Sequence, residues 1–257
     1  MPALSPLAGR YEPGQSFTIV SSAAMLAAGT TPDDPVPCRP NNAVDGRNFV
    51  NDPPEPNLGS NTSFKKDFAY ACATAFVGLS ETLSSSEITQ AAARFGIGGW
   101  QLPVSSFFAG YIGQPGGDGT LAADAIGTGD VRVSPLGMAL AAAVVDSGRW
   151  HAPSLVSDLT DASIVPRGAE SPQVLAALRG LMRGAAAQGT NKVADIGGNV
   201  YGQVGNAPFG ANRQLHISWY VGYQGDIAFA VVELGNSASA SAAPLAGSFL
   251  QNIQTGS

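Results

Sequence analysis

Charge is scarce in this chain. Only 12% of its 257 residues are charged, about half the usual share for a globular domain. The 13 Lys and Arg form no basic cluster longer than Lys65-Lys66, and the formal net charge is −6. A nucleic-acid partner is therefore not expected, because phosphate binding needs concentrated cationic charge. Long apolar runs are missing as well. Met138 to Val145 is among the longest, far short of the roughly 18 to 20 residues that span a bilayer. Pro2 to Gly9 has neither the basic start nor the apolar stretch of a signal peptide, so membrane contact is expected only through an anchor carried by a longer parent. Histidine is reduced to His151 and His216, with no third ligand at a metal-like spacing, so no metal and no cofactor is expected. The two cysteines, Cys38 and Cys72, form no Cys-x-x-Cys pair, and two readings stay open: a pair of buried thiols, or a disulfide of the kind that suits an extracytoplasmic protein.

What the chain has is apolar residues (44%), 32 glycines and 18 prolines, enough for one sizeable core with short helices and many loops. One domain over 1–257 is expected. The opening stretch Pro13-Gly14-Gln15-Ser16-Phe17-Thr18-Ile19-Val20 runs from a turn into a short helix stopped at Gly29, with Gln15 and Ser16 as acceptors for its first amides. Residues 30–60 are dense in Pro, Asn, Asp and Gly and read as an irregular excursion with at most short strands near Val36 and Phe49. Phe64, Phe68, Cys72, Phe76 and Leu79 then recur every three or four residues, which predicts one helix with one buried face. A helix over Glu87–Phe95 follows, introduced by serines 84 to 86. Residues 98–119 read as loop with a strand-like piece near Phe107–Ile112, and Gly113–Gly119 as a turn, since it lacks the lysine and following helix of a phosphate loop. Ser134-Pro135 and Ser171-Pro172 each open a helix, the first apolar nearly all round and hence expected at the centre. Asn199–Asn206, His216–Gln224 and Asp226–Leu234 read as strands, the last two joined by a tight turn, and Ala243–Ile253 as a closing helix. Asp33, Asp34 and Asp195 read as turn residues. The expected fold class is α/β of the α+β type, with C-terminal antiparallel strands covered by helices.

Three short stretches, in this order, resemble the motifs of the class B penicillin-binding protein transpeptidases. Pro13 to Ala24 resembles Pro-Gly-Ser-Thr-Phe-Lys-(Ile/Val)-Val-Thr-Ala-Ala, with Gln15 in the place of the acylated serine and Thr18 in that of the lysine that takes its proton. Ala71-Cys72-Ala73-Thr74-Ala75-Phe76 is similar to Ser-Cys-Asn-Thr-Ala-Phe, with Ala71 and Ala73 replacing the polar pair. Gly202-Gln203-Val204-Gly205-Asn206-Ala207 is similar to Gly-Lys-Thr-Gly-Thr-Ala, with Gln203 and Val204 replacing the residues that bind the substrate carboxylate. Framework wording persists between them, in Ala125 to Asp130, Ser134 to Ala139 and Trp219 to Tyr223. The resemblance implies the penicillin-binding transpeptidase or β-lactamase-like fold, whose sheet normally begins with two strands upstream of the first motif.

Acyl transfer needs a nucleophile, a base and oxyanion donors, and only backbone donors are expected to survive here. The resemblance therefore implies a pseudo-transpeptidase of the cell envelope that holds cell-wall synthesis or division proteins, or a peptidoglycan-like ligand. The alternative is an acyl-transferase or hydrolase with a rearranged nucleophile. Ser16 lies one residue from the nucleophile's place, and Ser63-Phe64-Lys65-Lys66 is a literal Ser-x-x-Lys one helical turn long.

Overall fold

Three strands of the C-terminal quarter form an antiparallel sheet in the order β5-β6-β7 in this computed structural model, with β5 at Tyr201–Phe209, β6 at Leu215–Gln224 and β7 at Ile227–Gly235. Residues 4–51, 57–114, 116–155, 168–189, 193, 198–210, 212–237 and 241–255 are described. Asp195 lies outside them. β-branched and aromatic residues fill β6, which is buried on both faces as the middle strand. Gln224 pairs with Ile227, leaving Gly225-Asp226 as a two-residue hairpin loop with Gly225 at φ +53°.

Helices cover both faces. Val200, Tyr220 and Phe229 on one face pack under α8 (Ala243–Thr255). Trp219, Val221 and Tyr223 point the other way, into the main core. That core is shared by α1 (Thr18–Ala27), α6 (Pro135–Ser147) and α7 (Pro172–Gln188). The helix buried on all sides is α1, with every residue from Thr18 to Met25 buried. α6 lies instead against β6 and β7, leaving Leu136, Ala139 and Leu140 partly covered. The central place expected of α6 thus belongs to α1, whose serines and threonine gave no sign of full burial. The expected Ser-Pro openings hold: Ser134 and Ser171 each accept from the amide three residues on, with proline in the first turn. Ser84 and Glu87 close a full capping box on α4 (Ser85–Arg94).

Several expectations are corrected. The helix expected through residues 64–79 is two, α2 (Phe64–Ala69) and α3 (Ala73–Ser80), broken where Ala71 takes a left-handed φ of +53°. The apolar spacing runs across the break because both pieces bury the same side. The short strand expected near Phe49 is present as β2 (Arg47–Val50), paired in a hairpin with β1 (Asn41–Val44), whereas Val36 lies beside an isolated bridge at Pro35 and not in a strand. The strand-like piece near Phe107 shrinks to β3 (Tyr111–Ile112), paired with β4 (Val131–Arg132). A helix, α5 (Asp118–Ala125), begins within the stretch expected to be a turn, because Leu121, Ala122, Ala123 and Ala125 find a core to enter.

Candidate functional site

The residues read as the first and third motif places lie against each other, at the contact between the 3₁₀ turn Gly14–Phe17 and strand β5. Glycines make the approach possible. A methyl on Gly14, which sits at φ +54°, would fall 2.1 Å from the carbonyl oxygen of Asn206, and one on Gly205 would fall 2.3 Å from that of Pro13 and 2.5 Å from the Ser16 nitrogen.

The polar side chains in this contact are spent on one another. Gln15 is 1% exposed, and its Oε1 accepts the Asn206 N–H at 3.1 Å. A side-chain carbonyl thus occupies the strand donor that faces the helix start. Thr18 Oγ1 donates to Gln15 O at 2.7 Å and accepts from Gln203 Nε2 at 3.3 Å, and the same amide donates to Phe68 O at 2.8 Å. Gln203 Oε1 accepts from Val204 N at 2.9 Å. Val204 itself points to the other face of the sheet, against the cluster under α8. Ala71 and Ala73, each 1% exposed, bring only methyl groups to the α2–α3 break. The cavity bordered by Gln203, Val204, Ala69 and Ala185 measures about 10 Å³, no more than one water needs.

Gln15 and Ser16 do not cap the helix as expected. The turn has no side-chain cap, and Ser16, fully buried, donates from Oγ to Pro13 O at 2.8 Å. Backbone folding into a 3₁₀ turn sends Gln15 across to the strand instead. Ser63 precedes α2 without capping it and, with Lys66, lines a separate groove of about 470 Å³ between α2 and α7. His151 lies in a loop, accepting from Arg149 Nε at 3.3 Å, and His216 sits in β6 opposite Gly235; the two are not brought together.

Cys38 and Cys72 are joined in a disulfide that ties the α2–α3 break to the preceding excursion. Asn51 strengthens the tie, accepting Thr74 N at 3.0 Å. Beside the disulfide lies Asp67, fully buried, with both carboxylate oxygens lacking a hydrogen bond among the described residues. Burial pushes its pKa up to about 7, with the Thr62 hydroxyl and the Lys66 charge pulling weakly the other way. Ligand-type atoms of Cys38, Asp67 and Cys72 lie within 4.8 Å of one another, but the two sulfurs are already bonded to each other. A second buried anchor, Glu12, takes ion pairs from Arg132 at 3.1 Å and Arg213 at 3.3 Å, while its backbone carbonyl accepts from Trp219 Nε1 at 3.0 Å. Neither Asp67 nor Glu12 stood out in the sequence, since an isolated acid in a weakly charged chain carries no local signal of its burial.

A family model described as the penicillin binding protein transpeptidase domain matches residues 3–253. The peptidoglycan D,D-transpeptidase PbpA of Mycobacterium tuberculosis is 29% identical over 245 residues, and that of Mycolicibacterium smegmatis 30% over 246; each alignment covers 85% of this chain and 49% of the relative. The chain spans about half the length of these curated relatives. Among solved structures, PBPA from M. tuberculosis superposes with a TM-score of 0.78 at 25% identity, covering 97% of this chain and 62% of the other. Its imipenem acyl-enzyme complex gives 0.79 at 26%, covering 98% and 61%. A complex between PBP2 and MreC from Helicobacter pylori shares the fold, with a TM-score of 0.78 at 16% identity over 98% of this chain and 51% of the other. With its α+β architecture and a family match running almost end to end, the chain belongs to the penicillin-binding-protein transpeptidase family.

Proposed function

We propose that this chain is a single noncatalytic transpeptidase-like domain, a pseudo-transpeptidase that binds or scaffolds proteins of bacterial cell-wall synthesis or division on the extracytoplasmic side. One observation carries the reading: the side chains at Gln15, Thr18 and Gln203 hydrogen-bond among themselves in a buried contact, with Gln15 Oε1 on the Asn206 amide. An amide and a threonine hydroxyl buried in this way supply neither an activated nucleophile nor a base. Where such groups act as a unit, their removal costs on the order of a millionfold in turnover. Ordinary transpeptidation is not expected from this arrangement. The PbpA relatives are peptidoglycan transpeptidases and PBP2 of H. pylori was solved with MreC, which supports a role among cell-wall proteins. A peptidoglycan-like ligand at the motif contact has less support, because the cavity that Gln203 borders there measures about 10 Å³. The Cys38–Cys72 disulfide fits an oxidising compartment.

Incubation with a fluorescent penicillin, followed by intact-mass measurement, tests the reading. No covalent adduct is expected, and an adduct mapping to any serine would overturn it. A second reading, a rearranged enzyme, draws on one observation: Ser63 leaves its helix uncapped and shares a groove with Lys66. Labelling by a fluorophosphonate probe that Ser63→Ala abolishes would establish it. Ser16 is fully buried and bonded to Pro13, which gives it no comparable support.

A further inference from the structure

Three groups of metal-binding type meet at the α2–α3 break: the sulfurs of Cys38 and Cys72 and the carboxylate of Asp67, with ligand atoms within 4.8 Å of one another. All three residues are fully buried. In the oxidised chain the sulfurs are bonded to each other, and neither carboxylate oxygen has a hydrogen bond within 3.5 Å among the described residues. Only the Thr62 hydroxyl and the Lys66 charge bear on that carboxylate. A buried carboxylate compensated so weakly destabilises the fold, and a cation beside it would offset the cost. A fourth group is at hand. Asn51 Oδ1, which accepts Thr74 N at 3.0 Å, lies 3.6 Å from Cys72 Sγ. Neighbouring ligands around a tetrahedral zinc stand roughly 3.6–3.8 Å apart, given metal–ligand distances of about 2.1–2.3 Å.

We propose that reduction converts this cluster into a site for a thiophilic divalent cation, zinc above all, held by the Cys38 and Cys72 thiolates, the Asp67 carboxylate and the Asn51 side-chain carbonyl. A dithiol reductant supplies two electrons and two protons to the disulfide and is itself oxidised to a disulfide; the two new thiols then release their protons as zinc binds. Sulfur ligands select against magnesium and calcium, and a closed set of four protein ligands gives the metal a structural role. Two thiolates and a carboxylate around Zn²⁺ leave one net negative charge, which the Lys66 charge acting on Asp67 offsets. Full burial is no obstacle to such a site, because metal and fold form together. Metal and disulfide close the same loop: either one joins the excursion to the break at Ala71 across 34 positions, a separation at which no metal-like spacing shows in the sequence. The break is therefore held in both redox states. Holding it also keeps the motif contact, since Ala71 N and Gln203 Nε2 both donate to the Phe68 carbonyl. The site stands whether or not that contact is catalytic.

The test uses the full chain, reduced by a phosphine in urea and refolded in the presence of Co²⁺, whose thiolate-to-metal absorption reports sulfur ligands. Absorption that saturates at one cobalt per chain, with the visible bands of a tetrahedral site, is expected, and one equivalent of Zn²⁺ should abolish it. The oxidised chain should show neither signal. Zinc should raise the melting temperature of the reduced chain and leave that of the oxidised chain unchanged. Asp67→Asn, checked for folding in its oxidised form, should keep the sulfur-to-cobalt absorption when reduced and bind zinc at least about tenfold more weakly, since even the outer partners of metal ligands are worth that much. No saturable absorption in the refolded reduced chain overturns the proposal, as does a reduced chain that fails to fold with zinc present. Wild-type zinc affinity in Asp67→Asn, or equal affinity of the reduced chain kept unfolded in urea, overturns it as well.

Discussion

One strand carries two contrasting regions. Around residues 203–206, β5 is pressed against the 3₁₀ turn, and the Gln15, Thr18 and Gln203 side chains there are hydrogen-bonded within the protein. A few residues earlier, around Asn199 and Tyr201, the chain borders an open cavity whose lining includes Asp146, Arg179 and Tyr223. The difference comes down to glycines and amides. Gly14 and Gly205 remove the atoms that would hold the backbones apart, and glutamine side chains carry both a donor and an acceptor, so a pair of them can close a contact with no charge to desolvate. At the other end, charges and bulky rings keep a space open.

That contrast can be broken most severely at Gly205. Gly205→Ala places a methyl between two backbones that have no room to give, and a loss of about 3 kcal/mol is expected in urea unfolding. Gln203→Leu removes one of the two bonds to the Phe68 carbonyl, which keeps the Ala71 amide, and the bond to Thr18, for an expected loss of about 1–2 kcal/mol by the same measurement. Asp67 sharpens the comparison, being a fully buried carboxyl with only the Thr62 hydroxyl and the Lys66 charge to offset its burial. Its folded pKa of about 7 lies above the unfolded value of 3.8, so between those values the folded state binds the extra proton. Stability from this group is full below about pH 4 and is lost as pH rises through 7. Asp67→Asn should therefore raise the melting temperature more at pH 8 than at pH 3, the difference amounting to at most about 4 kcal/mol. The smallest effect is expected from Tyr223→Phe: the buried hydroxyl meets the Arg179 side chain, and its loss should shift unfolding by less than about 1 kcal/mol.

How much was readable beforehand varies with how local the cause is. Ser134-Pro135, Ser171-Pro172 and Ser84 with Glu87 announce helices because a cap is a matter of three consecutive residues. The strands from 201 to 235 announce themselves by composition, and their hairpin by Gly225. The break at Ala71 did not, because the apolar spacing on either side of it continues in phase; only a disulfide to Cys38 and a left-handed alanine, neither visible as a spacing, divide the helix. Helix α5 hides behind Gly113–Gly119 for the opposite reason, since its glycines look like a turn until a core is supplied for Leu121.

Of the site, the sequence by itself determined which groups are present: an amide at Gln15, a hydroxyl at Thr18, methyls at Ala71 and Ala73, an amide at Gln203, and so the absence of a charged base among them. It also determined the family frame, through the order of three short stretches. Only the tertiary structure decided what those groups do. That Gln15 reaches Asn206 across 191 positions, that Gln203 reaches Thr18 across 185, and that Arg179 and Asp146 face one cavity without pairing are consequences of packing between distant segments. Hydrogen bonds need partners within about 3 Å, and a sequence fixes such distances only within a helical turn or so; beyond that the fold has to supply them.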